Sequence, residues 1–106
     1  MAAPGDNLEF FESAAFMARV RGLEDVRLAL QARLRNQPNA GRLVCGPLHT
    51  LELTVGGRLT AYIYGRKGQR VTVAYVFDLP KEQRAYEDRL GAMKRIYCAG
   101  SQRSKP

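Results

Sequence analysis

The stretch Leu34-Arg35-Asn36-Gln37-Pro38-Asn39-Ala40-Gly41-Arg42-Leu43-Val44 divides the chain, because helical sequence stops at an Asn-x-Pro-x-x-Gly turn and sheet-like sequence follows. The ring of Pro38 cannot continue a helix and disfavours helical backbone at Gln37, so the helix ends there. Upstream, Leu23, Val26, Leu30 and Leu34 recur at helical spacing with Glu24, Arg27, Gln31 and Arg35 on the other side, which predicts an amphipathic helix. Before it, Ser13 is placed to cap a short helix from Ala14, with Phe16 and Val20 on one face and Gly22 as the break. Leu8-Glu9-Phe10-Phe11 offers a further short strand for a sheet edge.

Downstream the period changes to two. Leu51, Leu53 and Val55 alternate with Thr50, Glu52 and Thr54; after the Gly56-Gly57 turn, Leu59, Ala61 and Ile63 alternate with Thr60, Tyr62 and Tyr64. Gly65-Arg66-Lys67-Gly68 makes a second turn, and Gln69 to Phe77, rich in Val and aromatics on both faces, reads as an inner strand. This predicts a three-stranded antiparallel meander. From Pro80 to Tyr97, the positions Tyr86, Leu90, Met93 and Tyr97 predict a closing helix, and Gly100 to Pro106 has nothing to bury. The expected architecture is α+β in the order β-α-α-β-β-β-α, one domain over residues 1–98 with a basic, disordered tail at 99–106.

Among the 106 residues, 17 Lys and Arg against 10 Asp and Glu give a formal charge of +7, which favours a polyanionic partner. The bland alternative is a basic protein with solvated charge and no nucleic-acid role. Residues 56–70 carry Arg58, Arg66, Lys67 and Arg70 with no acid. Cys45 and Cys98 lack metal or redox-motif spacing, so two reduced cysteines in a cytoplasmic protein are expected, with no metal and no organic cofactor. No apolar run reaches the length of a membrane span, and the N-terminus shows no signal-like pattern.

The Phe10-Phe11-Glu12-Ser13-Ala14-Ala15-Phe16 segment, the Asn-x-Pro-x-x-Gly turn and the element order together resemble the RelE/ParE superfamily of bacterial toxins, on its HigB-like side. The resemblance runs from Phe10 to Tyr97 and is most specific over residues 10–46. It implies a RelE-like fold, a toxin that enters the ribosomal A site and cuts messenger RNA, and an acidic antitoxin partner. In the family pattern, basic side chains hold the message while the 2′-hydroxyl attacks the adjacent phosphate. Where that pattern places two basic residues on the first meander strand, this chain has Thr50 and Glu52. The HigB-like Tyr-Gly-Lys after the last strand is also absent, with Tyr75-Val76-Phe77 in its place.

The resemblance assigns Arg58 to a phosphate-contacting arginine position, and Lys81, Arg84 and Tyr86 to the family's C-terminal basic and tyrosine segment. His49, the single histidine, is the side chain best suited to proton transfer near neutral pH. The expected catalytic set is therefore His49 as base, Arg58 and Arg84 on the phosphate, and Tyr86 or Lys81 at the leaving oxygen. The expected RNA-binding set is Arg66, Lys67 and Arg70 along the backbone, with Tyr62 and Tyr64 stacking on bases; the alternative for the two tyrosines is packing beneath a helix with their hydroxyls at the rim. Two other classes compete: a ParE-like toxin that inhibits DNA gyrase by protein contacts, and a non-catalytic relative whose basic face binds nucleic acid or an acidic protein.

Overall fold

The structure, a computed structural model, describes Gly5 and residues 7–98; the tail expected at 99–106 lies outside the described residues. The chain is α+β, running β1 (Glu9–Glu12), α1 (Ala14–Arg19), α2 (Glu24–Asn36), β2 (Arg42–Cys45), β3 (Leu48–Val55), β4 (Arg58–Lys67), β5 (Arg70–Asp78) and α3 (Leu79–Tyr97). One five-stranded sheet has the order β1-β5-β4-β3-β2. The expected β3–β4–β5 meander is present and antiparallel, and β1 pairs with β5 in parallel, making the sheet mixed. The Gly56-Gly57 turn takes positive φ at both residues (57° and 80°), as a two-residue hairpin of this hand requires.

The strand β2 is the element the sequence pattern does not announce. It is four residues long, with Arg42 and Leu43 exposed, and its pairing with β3 is irregular between Leu43 and Cys45. Gly41, just before it, sits against Tyr64, and a side chain there would collide with the phenol.

Local chemistry sets the helix starts. Ser13 Oγ accepts from the Phe16 N–H at 3.0 Å and donates to the Ala74 carbonyl at 2.6 Å, so one hydroxyl caps α1 and ties it to β5. Glu82 plays the matching part for α3 by accepting from the Asp78 N–H at 2.9 Å. No described helix is long and apolar enough to cross a membrane.

The period of two sends alternate side chains to opposite faces of the sheet, and each face is covered by helix. On one face Phe16, Val20, Leu30 and Leu34 pack with Tyr62, Tyr64, Val71 and Val73; on the other Leu48, Ala61, Ile63 and Phe77 pack with Leu79 and Tyr86 of α3. Tyr62 and Tyr64 are 0% and 1% exposed, which rules out their role as base-stacking platforms and matches the alternative of packing beneath a helix. The Tyr62 hydroxyl donates to the Val26 carbonyl of α2 at 2.6 Å, and the Tyr64 ring stacks on His49 with centroids 5.2 Å apart.

The expectation of two reduced cysteines is also corrected: Cys45 and Cys98 form a disulfide, with Cα atoms 5.7 Å apart. It links edge strand β2 to the end of α3 across 53 residues of sequence. Closing a loop of that length is worth about 4 kcal/mol on chain entropy.

Candidate functional site

The expected catalytic set does not assemble. His49 pairs with Tyr64 near one end of the β3–β4 hairpin, whereas Arg58 pairs with Val55 at the other. Those pairs lie about 20 Å apart at roughly 3.3 Å per residue. His49 also faces the α2 side, with Nδ1 2.8 Å from the Pro47 carbonyl, while Tyr86 lies on the α3 side. Arg58 is paired with Asp78, in a hollow it shares with Lys81, Arg19 and Glu82, and Arg19 in turn pairs with Glu82. Arg84 is exposed on α3. The set thus divides: Arg58 and Lys81 share one hollow, while His49, Arg84 and Tyr86 lie outside it.

One of the five sits in a cleft whose other members were not expected as catalytic residues. Because Thr50 and Glu52 share β3 parity with buried Leu48, they point toward α3. Arg42 on β2 is the cross-strand partner of Thr50, so it shares that face. Tyr86, Leu90 and Lys94 recur every four residues along α3 and form the opposite wall. Together they enclose a cleft of about 530 Å³, with Arg42, Leu43 and Val44 along its outer edge.

The cleft holds a carboxylate, two cations and a protonated phenol. Burial pushes the Tyr86 hydroxyl above the usual tyrosine range; the Thr50 hydrogen bond pulls it back, Glu52 raises it and Arg42 lowers it, leaving a net rise. Tyr86 is therefore a neutral donor at physiological pH. Glu52 is an exposed acceptor, and Arg42 and Lys94 supply positive charge to an anion between the walls. Arg42 and Lys94 are the members that sequence reading missed. The signal for Lys94 is its position two helical repeats beyond Tyr86; for Arg42 it is visible only once β2 pairs with β3.

The turn cations lie elsewhere. Lys67 and Arg70 are cross-strand partners at the end of the β4–β5 hairpin, in a groove with Thr72, Met93 and Tyr97. Like charges placed directly opposite on a strand pair are destabilising. Glu9 approaches Arg70 only to 3.9 Å, and Lys67 has no acidic partner among the described residues. Arg66 is engaged otherwise, donating to the carbonyls of Gly68 and Pro38.

Burial raises the hydroxyls of Tyr62, Tyr64 and Tyr86. For a group whose folded value lies above its unfolded one, the stability is complete below the unfolded value and lost as pH rises. The unfolded chain then releases protons that the fold retains. Urea midpoints are accordingly expected to hold to about pH 9 and fall from about pH 10 upward. Tyr62→Phe, which cannot ionise, flattens that decline.

No protein-family model matches this chain, and no curated protein matches it significantly.

Proposed function

We propose that the chain is a RelE/ParE-type toxin that cuts messenger RNA on the ribosome, with its reactive centre in the cleft between β2, β3 and α3. The observation that carries this reading is that Glu52, Tyr86, Arg42 and Lys94 line one cleft. Two of them, Glu52 on the first meander strand and Tyr86 on the closing helix, stand where the family resemblance implies reactive groups. The mixed sheet and three helices are compatible with a RelE-like fold.

In this mechanism Glu52 takes the proton of an RNA 2′-hydroxyl, and the freed oxygen attacks the neighbouring phosphorus. Arg42 and Lys94 hold the non-bridging oxygens as charge builds. The bond to the 5′-oxygen breaks while Tyr86 donates its proton to that oxygen, leaving a 2′,3′-cyclic phosphate and a 5′-hydroxyl. The Glu52 that departs from the family's basic pair is here the base, with positive charge restored from β2 and α3.

Lys67 and Arg70 extend the contact with RNA beyond the cleft, since a polyanion relieves their cross-strand repulsion. Lys67→Ala/Arg70→Ala is expected to reduce the log–log salt slope of binding to a single-stranded RNA by about 1.4, the share of two phosphate contacts. An unchanged slope would remove them from the interface.

The dispersal of Arg58, Arg84 and the turn cations favours a second reading, a toxin or relative that binds a protein target such as gyrase without cleaving RNA. Induction of the chain separates the two. The first reading gives translation arrest with primer-extension stops in messages, relieved by an acidic antitoxin; the second gives DNA-damage signalling with messages intact.

A further inference from the structure

The Cys45–Cys98 bond joins the two walls of the cleft. Cys45 ends β2, which contributes Arg42, Leu43 and Val44, and Cys98 caps α3, which contributes Tyr86, Leu90 and Lys94. Both walls are weakly held where the bond meets them. β2 is a four-residue edge strand with irregular pairing and Leu43 61% exposed. The last turn of α3 buries little: Lys94 and Arg95 are exposed, as are Ile96 (72%) and Tyr97 (46%). The first half of α3 needs no such help, since Leu79 and Tyr86 are anchored in the core. Without the bond, noncovalent contacts keep Tyr86 in place and leave Lys94 and Arg42 on segments of low local stability.

We infer that this disulfide is a redox latch on the cleft: oxidised, it holds Lys94 and Arg42 in the cleft they share with Glu52, and reduced, it releases the end of α3 and β2 while the rest of the fold stands. Both cysteines are half-buried rather than sealed, so a small dithiol reaches them. A dithiol thiolate attacks one sulfur and the Cys45–Cys98 bond breaks, giving a mixed disulfide and one cysteine thiolate. The second thiol of the reductant then closes on the first. The products are two protonated cysteines and a cyclic oxidised reductant, two electrons and two protons having moved to the protein. The latch itself rests on the fold alone; its consequence for RNA rests on the function proposed above.

The test is amide hydrogen exchange on the full chain with and without dithiothreitol, paired with cleavage and binding of a single-stranded RNA. On reduction, exchange within 42–45 and 90–98 is expected to speed up about tenfold or more beyond any uniform acceleration that loss of the bond's chain-entropy stabilisation gives β4. The RNA-binding salt slope falls by up to about 1.4 as the phosphate contacts of Lys94 and Arg42 loosen, and KM rises. Cys45→Ser/Cys98→Ser reproduces the reduced behaviour and ignores dithiothreitol; in Lys94→Ala reduction moves KM less, and in Arg42→Ala/Lys94→Ala it no longer moves it. Unchanged exchange overturns the latch. So does acceleration in those segments no greater than in β4, which would make the bond a global staple only, and so does local loosening with RNA cut identically in both states. Local loosening in a protein that cuts no RNA in either state supports the latch and removes the ribonuclease reading instead.

Discussion

Glu52→Gln is expected to lower the rate of RNA cleavage by about 10²–10⁴-fold, the range a positioned general base supplies. The amide keeps the length and shape of the carboxylate but cannot take a proton from the 2′-hydroxyl. Binding should move the other way. Removing a negative charge from a cleft that Arg42 and Lys94 also line leaves it more positive, so RNA affinity holds or improves while turnover collapses. Single-turnover cleavage and equilibrium binding on the same variant separate the two effects. If Glu52 merely occupies a binding surface, tighter binding appears without any change in rate. A loss of affinity together with rate would point instead to a disturbed fold, for which the exposure of Glu52 gives no cause.

The largest stability effect is expected at Phe16. Its ring is 0% exposed at the centre of α1, a helix of only six residues that cannot persist on its own propensity. Phe16→Ala removes the main apolar anchor of that helix and leaves a cavity against β5, a change expected to cost about 3–5 kcal/mol. That is a large share of the roughly 5–15 kcal/mol available to a domain of this size. Phe11 offers the control: with its side chain on the edge strand and 49% exposed, Phe11→Ala should cost under about 1 kcal/mol. Urea unfolding followed by circular dichroism measures both.

Much of the architecture is legible because it rests on local rules. The Ser13 cap, the arrest of α2 at Gln37-Pro38, the three meander strands and the span of α3 follow from neighbouring residues acting on one another. What escapes such reading is decided by tertiary partners. Tyr62 and Tyr64 alternate with Ala61 and Ile63 and so allow either an outer face or a face beneath a helix; α2 decides for the second, and the Tyr62 phenol buries its ring while satisfying its hydroxyl. The cysteines read as unpaired because the approach of β2 to the end of α3 spans 53 residues. Short β2 carries no periodicity of its own.

The candidate site divides the same way. That His49 and Arg58 lie at opposite ends of a hairpin follows from the two-residue turn at Gly56-Gly57, so their separation was legible in principle. Tyr86 was identified from the family resemblance, and the structure places it in the cleft. Arg42 and Lys94 were not identified, since in sequence they are indistinguishable from the other cations of a basic chain. Only the pairing of Arg42 with Thr50, and the helical stacking of Lys94 above Leu90 and Tyr86, distinguish them. Glu52 changes meaning for the same reason: isolated on a strand it would repel phosphate, but it shares a cleft with Arg42, Lys94 and Tyr86, and the function proposed above makes it the base.

The most direct measurement is the chemical nature of the RNA ends produced when the purified chain meets ribosomes carrying a defined message. Attack by the 2′-hydroxyl under Glu52 predicts 2′,3′-cyclic phosphate and 5′-hydroxyl ends, absent from the Glu52→Gln reaction. Fragments bearing 5′-phosphates, or a message that survives intact with the protein bound, would contradict the cleft as an RNA-cleaving site.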